Sequence, residues 1–175
     1  MADKIDLEIV TPKGRVLAAA VDEVTAPSVE GEFGVLPGHL PMLVALRSGL
    51  VTYRQGGETH KCAVGTGFGE VGPTKLVILT DEYCDRDALD PVVLRKELAD
   101  LDAELAKSVA EASPDAVAAE RRRVLVARQN WIAAQLELYG DPPPATMRLG
   151  EEYGPPPSAE ETEAARDAGE GSEVR

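Results

Sequence analysis

Up to about residue 85 this chain reads as short extended runs broken by turn residues, with Ile5, Leu7 and Ile9 at every second position, and from about residue 88 the apolar residues fall every third or fourth. That change of period sets two packing problems within one polypeptide of 175 residues. A two-residue period turns one face of an extended strand into a core, whereas a period near 3.6 draws an apolar stripe along a helix. The chain is therefore read as a β-rich body followed by helices, an α+β arrangement.

In the first part Ile5, Leu7 and Ile9 alternate with Asp6 and Glu8 until Thr11-Pro12-Lys13-Gly14 breaks the strand with turn chemistry. Val16 to Thr25 is a second extended run, closed by Pro27. From Val29 to Pro41 glycines and prolines crowd together; the glycines permit unusual backbone angles and the prolines forbid continuous helix. Leu50 to Arg54 and Thr59 to Val64 flank Gly56-Gly57, the signature of a two-residue hairpin, and Lys75 to Thr80 adds a short apolar strand. Many short strands at this spacing predict a sandwich or a barrel.

The second part opens on Asp90-Pro91, a capping residue followed by the imino acid that fits the first helical position. Leu94, Leu98, Leu101 and Leu105 then share one helical face. Ser113-Pro114-Asp115 repeats the start signal, and the helix after it carries Val117, Val124, Trp131 and Leu138 at intervals of seven, with Leu125, Ile132 and Tyr139 beside them. Gly140 and Pro142-Pro143-Pro144 end it. Two helices so closely connected should fold antiparallel, each with one strong apolar stripe. Those stripes can cover each other, or one helix can peel away and dock elsewhere.

Residues 141–175 hold nine acidic and three basic residues among prolines and glycines, a composition that predicts a disordered tail. The whole chain carries a net charge of −13, which argues against nucleic acid, since phosphate contacts need a basic surface. Only 4% of residues are aromatic, so there are few platforms on which bases could stack. Cys62 and Cys84 lack CxxC spacing and are read as reduced thiols. The opening MADKIDLEIV has no cleavable apolar core, and no stretch reaches the ~18 apolar residues of a membrane span.

Candidate chemistry is sparse. His39 and His60 are the two histidines, and no His, Cys, Asp and Glu cluster has metal-ligand spacing, so neither metal nor cofactor is expected. Gly65-Thr66-Gly67-Phe68-Gly69 is followed by Glu70-Val71-Gly72-Pro73 and a strand; without a helix to hold an anion, close strand packing explains these glycines better. Arg121, Arg122, Arg123 and Arg128 form a basic patch, either a solvated helix face or a docking site for carboxylates. Trp131 and Tyr139 are either hairpin core or anchors for a partner.

Thr11-Pro12-x-Gly14, then Gly31-Glu32-Phe33-Gly34-Val35-Leu36-Pro37-Gly38-His39-x-Pro41, then Leu46-x-x-Gly49 resembles the epsilon subunit of bacterial F-type ATP synthase. The likeness runs from residue 1 to about 140 and leaves the acidic tail outside. It implies a ten-stranded β-sandwich over residues 1–86 that binds the gamma subunit and the c-ring, and a regulatory two-helix hairpin over 87–140. On this likeness Glu32, Gly34, Gly38 and His39 belong to a loop facing the c-ring. Arg121, Arg122, Arg123 and Arg128 would meet an acidic segment of the beta subunit when the hairpin extends between gamma and the catalytic alpha and beta subunits and inhibits ATP hydrolysis.

An ATP-binding motif of some relatives begins here with Leu89-Asp90, but Val93 stands in place of its arginine and Leu94 in place of its alanine. Arg95 is two positions on and points about 200° away from Val93. Weak ATP binding, or none, is expected. The resulting picture is a non-catalytic rotor subunit, peripheral on the cytoplasmic side of a bacterial plasma membrane and attached only through its complex. The competing picture is a β-sandwich enzyme or small-ligand binder with a helical appendage.

Overall fold

The structure, a computed structural model, describes residues 4–110 and 116–142. The start signal at Ser113-Pro114-Asp115 and the acidic tail beyond residue 142 lie outside the described residues. Ten strands come first: β1 (Ile5–Thr11), β2 (Gly14–Val21), β3 (Glu23–Ser28), β4 (Gly31–Val35), β5 (Met42–Leu46), β6 (Gly49–Gln55), β7 (Glu58–Val64), β8 (Gly67–Val71), β9 (Lys75–Thr80) and β10 (Tyr83–Cys84). A 3-10 turn at Arg86–Ala88 leads to helices α1 (Pro91–Ala110) and α2 (Ala116–Tyr139).

The strands form two five-stranded sheets ordered β2-β1-β9-β8-β5 and β10-β7-β6-β3-β4. The first is antiparallel apart from the β1–β9 pair, in which Leu7 lies beside Leu76 and Ile9 beside Ile78. Their inward phases make the sandwich core, with Ile5, Leu7, Ile9, Val24, Val51, Cys62, Leu76 and Ile78 among its buried members. The period-two reading of β1 is thereby met: Asp6, Glu8 and Val10 occupy its outward phase.

Turn chemistry sets the registers. Gly56 and Gly57 have φ of +62° and +91° and join Gln55 to its partner Glu58, the two-residue loop foreseen from the sequence. The reading of Val16–Thr25 as one run needs correction, because Asp22 separates β2 in the first sheet from β3 in the second. The carboxylate of Asp22 accepts hydrogen bonds from Lys4 Nζ and from Gly56 N–H, which pins the corner where the chain changes sheets. The proline does not close the run either; Pro27 lies inside β3 opposite Glu32, and the crowded segment after it contains a strand, β4.

The glycines of β8 serve close packing, as expected. A Cβ on Gly67 would lie 1.9 Å from the carbonyl oxygen of Leu79, and one on Gly69 would lie 2.9 Å from Val44 Cγ1.

In α1 the Asp90 carboxylate accepts from the N–H groups of Val92 (3.0 Å) and Val93 (3.4 Å), the cap read from the sequence. Leu94 and Leu98 are buried against α2, and Leu105 further along the same face is buried as well. Gly140, at φ +101°, ends α2, and its N–H donates to the carbonyls of Leu136 and Glu137. The single stripe expected on α2 is corrected to two. Ile132 and Leu136 pack against Leu94 and Leu98 of α1, while Trp131, Ala134 and Leu138 pack against Ala63 of β7, with Leu50 and Cys84 alongside. α2 is thus the middle layer between α1 and the second sheet.

Candidate functional site

Three surfaces follow from this arrangement. The first is the β4–β5 segment. Glu32 and Gly34 are exposed on β4, an edge strand, with Gly34 opposite Thr25. Gly38 takes φ +82° in a turn that His39 N–H closes on the carbonyl of Leu36 at 3.1 Å, and Gly38 N–H reaches the Pro73 carbonyl at 2.7 Å. A carbonyl oxygen can only accept, so the 2.7 Å contact between His39 Nδ1 and Leu40 O places the proton on Nδ1. Leu36, Leu40, Met42 and Leu43 are all exposed along this segment.

The second surface was missed in the sequence. The outward phase of the first sheet carries Leu43 on β5, Phe68 on β8 and Leu79 on β9, where a solvated face would carry polar residues. Leu43 is 73% exposed and Phe68 55%. A shallow groove beside them is lined by Val10, Pro12, Ala45, Phe68 and Leu79. The signal was there in MLVAL, whose outward positions Leu43 and Ala45 are apolar as well as its inward ones, and in the outward Phe68 of GFGEV, where Glu70 is the polar member.

The third surface is the hairpin. Three of its four candidate arginines are engaged within the chain: Arg121 donates to Glu104 at 2.7 Å, Arg123 to Glu120 at 3.4 Å, and Arg128 to Glu97 at 2.8 Å and Glu82 at 3.3 Å, while Arg122 is half-buried on α2. Glu82 belongs to the turn between β9 and β10, so Arg128 ties both helices to the sandwich. Burial pushes the Glu82 carboxyl above its ordinary range; Arg128 pulls it down, while Asp81 and Glu97 push it further up. Arg95 pairs with Asp141 beyond the end of α2, and Arg86 donates to the Tyr139 carbonyl at 3.3 Å with its guanidinium over the Tyr139 ring. Gln129 is buried between the helices; its Nε2 donates to Asp102, and its Oε1 has no partner.

The two loop and helix candidate sets are not brought together. Glu32 and His39 lie at the β4 edge, whereas α2 packs over β6 and β7 toward the opposite edge. Val117 and Val124, expected on the buried stripe with Trp131, are 73% and 60% exposed, against 5% for Trp131. Leu89 packs into the seams at the hairpin base, Asp90 is occupied as the cap, and Val93 is exposed. His60 stacks on Tyr53 at 5.2 Å on β7, which β6 and β3 separate from β4. Among the described residues no group of three or more metal-ligating side chains gathers, and no helix is long and apolar enough to cross a membrane.

Taken together, an apolar open sheet face, a glycine-rich edge loop and an ion-clasped helical hairpin define a two-part docking module. Residues 4–85 match the family model described as ATP synthase, Delta/Epsilon chain, beta-sandwich domain. ATP synthase epsilon chain 2 of Syntrophotalea carbinolica is 42% identical over 90 residues, 51% of this chain and 65% of that relative. The ATP synthase epsilon chain of Nitratidesulfovibrio vulgaris is 44% identical over 96 residues, 55% of this chain and 72% of that one. The chain belongs to the ATP synthase delta/epsilon family. The match spans 65% of the length of the first of these relatives. A chain in the Euglena gracilis mitochondrial ATP synthase structure, titled OSCP/F1/c-ring in rotational state 1, shares the fold with a TM-score of 0.63 at 24% identity, covering 78% of this chain and 83% of that one.

Proposed function

We propose that this chain is the epsilon subunit of the central stalk of a proton-translocating ATP synthase, non-catalytic by itself and peripheral to the cytoplasmic face of a bacterial plasma membrane. Residues 1–86 link gamma to the c-ring, and residues 87–140 form a hairpin that restrains ATP hydrolysis when it leaves the sandwich. One observation carries the reading: the hairpin covers Ala63, Leu50 and Cys84 on the outer face of the second sheet, while the apolar patch of Leu43, Phe68 and Leu79 on the outer face of the first sheet has no cover among the described residues. An exposed apolar face beside a close-approach loop suits a permanent protein partner. Leu43, Phe68 and Leu79 are assigned to gamma, and Glu32, Gly34, Gly38 and His39 to the polar loops of the c-ring.

Pull-down from solubilised membranes tests this. The intact chain should retain gamma and c subunits, Phe68→Glu should lose gamma, and removal of residues 86–175 should keep both while raising the rate of ATP hydrolysis. Replacing Arg121, Arg122, Arg123 and Arg128 together by Ala should weaken inhibition in the assembled complex, since these side chains would meet acidic groups of the beta subunit. Gamma retention by Phe68→Glu would reject the assigned face, and unchanged inhibition would reject the arginine assignment.

A further inference from the structure

Arg128 holds a position that the other arginines of the hairpin do not share. Its Nε and one terminal nitrogen lie 2.8 and 2.7 Å from Glu97 Oε1 on α1, and its other terminal nitrogen lies 3.3 Å from Glu82 Oε1 on the sandwich. Arg121 and Arg123 pair with Glu104 and Glu120, all four on the hairpin. Arg86 meets the carbonyl and the ring of Tyr139 rather than a carboxylate. At Arg128 one cation separates two carboxylates on opposite sides of the seam. Without it Glu82 and Glu97, with Asp81 beside them, are like charges facing one another across a half-exposed gap.

We propose that Arg128 is the keystone of the folded hairpin: it cancels the repulsion between Glu82 and Glu97, and an acidic surface that draws it away releases the hairpin by restoring that repulsion. This rests on the reading that the hairpin leaves the sandwich. Docking and release then become one event, because the guanidinium that engages the new carboxylates is the one whose departure opens the seam. A half-exposed cluster suits such an exchange: it holds weakly enough to be outbid and responds to ionic strength.

Two reporters on the isolated full-length chain read the seam. Trp131 is the sole tryptophan and is buried beneath the hairpin, and Cys84 lies under α2 while Cys62 lies in the sandwich core. Arg128→Gln should raise the rate at which a bulky thiol reagent labels Cys84 by about tenfold and increase acrylamide quenching of Trp131, with helix content unchanged. Adding Glu82→Gln should return labelling to within about threefold of wild type, which loss of the arginine stem alone would not do. Salt should speed labelling of the wild type and slow that of Arg128→Gln, because it screens an attraction in one and a repulsion in the other. A polyglutamate peptide should speed labelling of the wild type and leave Arg128→Gln unmoved. The keystone is overturned if Arg128→Gln labels like wild type, if the double variant stays as open as the single one, or if polyglutamate does not open the wild type. If these variants open as stated yet removal of residues 86–175 leaves hydrolysis by the assembled complex unchanged, the keystone stands and the brake reading fails. If inhibition depends on the hairpin but the seam ignores Arg128, the reverse holds.

Discussion

Trp131→Ala should detach the hairpin from the sandwich while leaving the sandwich folded. Trp131 is 5% exposed and packs with Ala134 and Leu138 against Ala63, so it is the largest side chain in a seam whose other buried members are two alanines and one leucine. Truncation of a buried tryptophan to alanine costs about 3–5 kcal/mol. Part of its burial comes from helix neighbours that stay with it, so about 3 kcal/mol falls on docking, roughly a hundredfold in the open fraction. The sandwich core of Ile5, Leu7, Ile9, Val51, Leu76 and Ile78 contains no part of that side chain. Thiol labelling distinguishes the two bodies: Cys84 sits under the hairpin, whereas Cys62 is buried in the sandwich and burial pushes its thiol up to about 12. Cys84 should label about a hundredfold faster in the variant, with Cys62 as slow as before. Val124→Ala, on the same seven-residue stripe but 60% exposed, should change the rate by less than about twofold. Acceleration below threefold, or Cys62 reacting in step with Cys84, would refute the seam as drawn.

Gly67→Ala should destabilise the sandwich by about 3 kcal/mol or more in urea titration, since its Cβ would lie 1.9 Å from the Leu79 carbonyl and force β8 off β9. Gly72→Ala, whose Cβ would come no nearer than 3.6 Å to the Lys75 carbonyl, should stay within about 0.5 kcal/mol. Asp90→Ala should cost about 1 kcal/mol locally, seen as faster hydrogen exchange at Val92 and Val93, the two N–H groups it caps. Calorimetry with ATP should give no micromolar binding, because Asp90 is occupied as a cap, Val93 offers no guanidinium, and Arg95 is paired with Asp141.

Local chemistry made much of this fold legible. The alternation of β1, the Gly56-Gly57 hairpin, the Asp90-Pro91 start and the Gly140 stop each depend on residues a few positions apart, and each is found as read. What sequence could not supply was which surface covers which stripe. The corner at Asp22 depends on Lys4 and Gly56, which lie 18 and 34 residues away, so an extended run was read straight through it. The partners of Arg128, Glu97 and Glu82, are 31 and 46 residues distant, and nothing in the basic run itself indicates that its last member is bound to the sandwich. Glu32, Gly34, Gly38 and His39 were singled out by resemblance, and the structure supplies their setting: an exposed edge strand and a turn with a positive-φ glycine.

The two-sided burial of α2 shows why the seven-residue stripe misled. Its 24 residues span about 36 Å, whereas strands of seven residues reach about 23 Å. A platform that short can cover only part of the helix, and it covers the part with Trp131 and Leu138, leaving Val117 and Val124 on the uncovered remainder. The same geometry separates the stabilities of the two parts. The sandwich closes over fourteen buried apolar side chains drawn from both sheets, whereas the seam to the hairpin has four, two of them alanines, reinforced by ion pairs that are half-exposed. Free energy follows the apolar area removed from water, and exposed ion pairs add little to it. The hairpin therefore lies at the low end of the molecule's local stabilities and the sandwich at the high end, the ordering that the proposed function requires if one grip is to stay fixed while the other lets go.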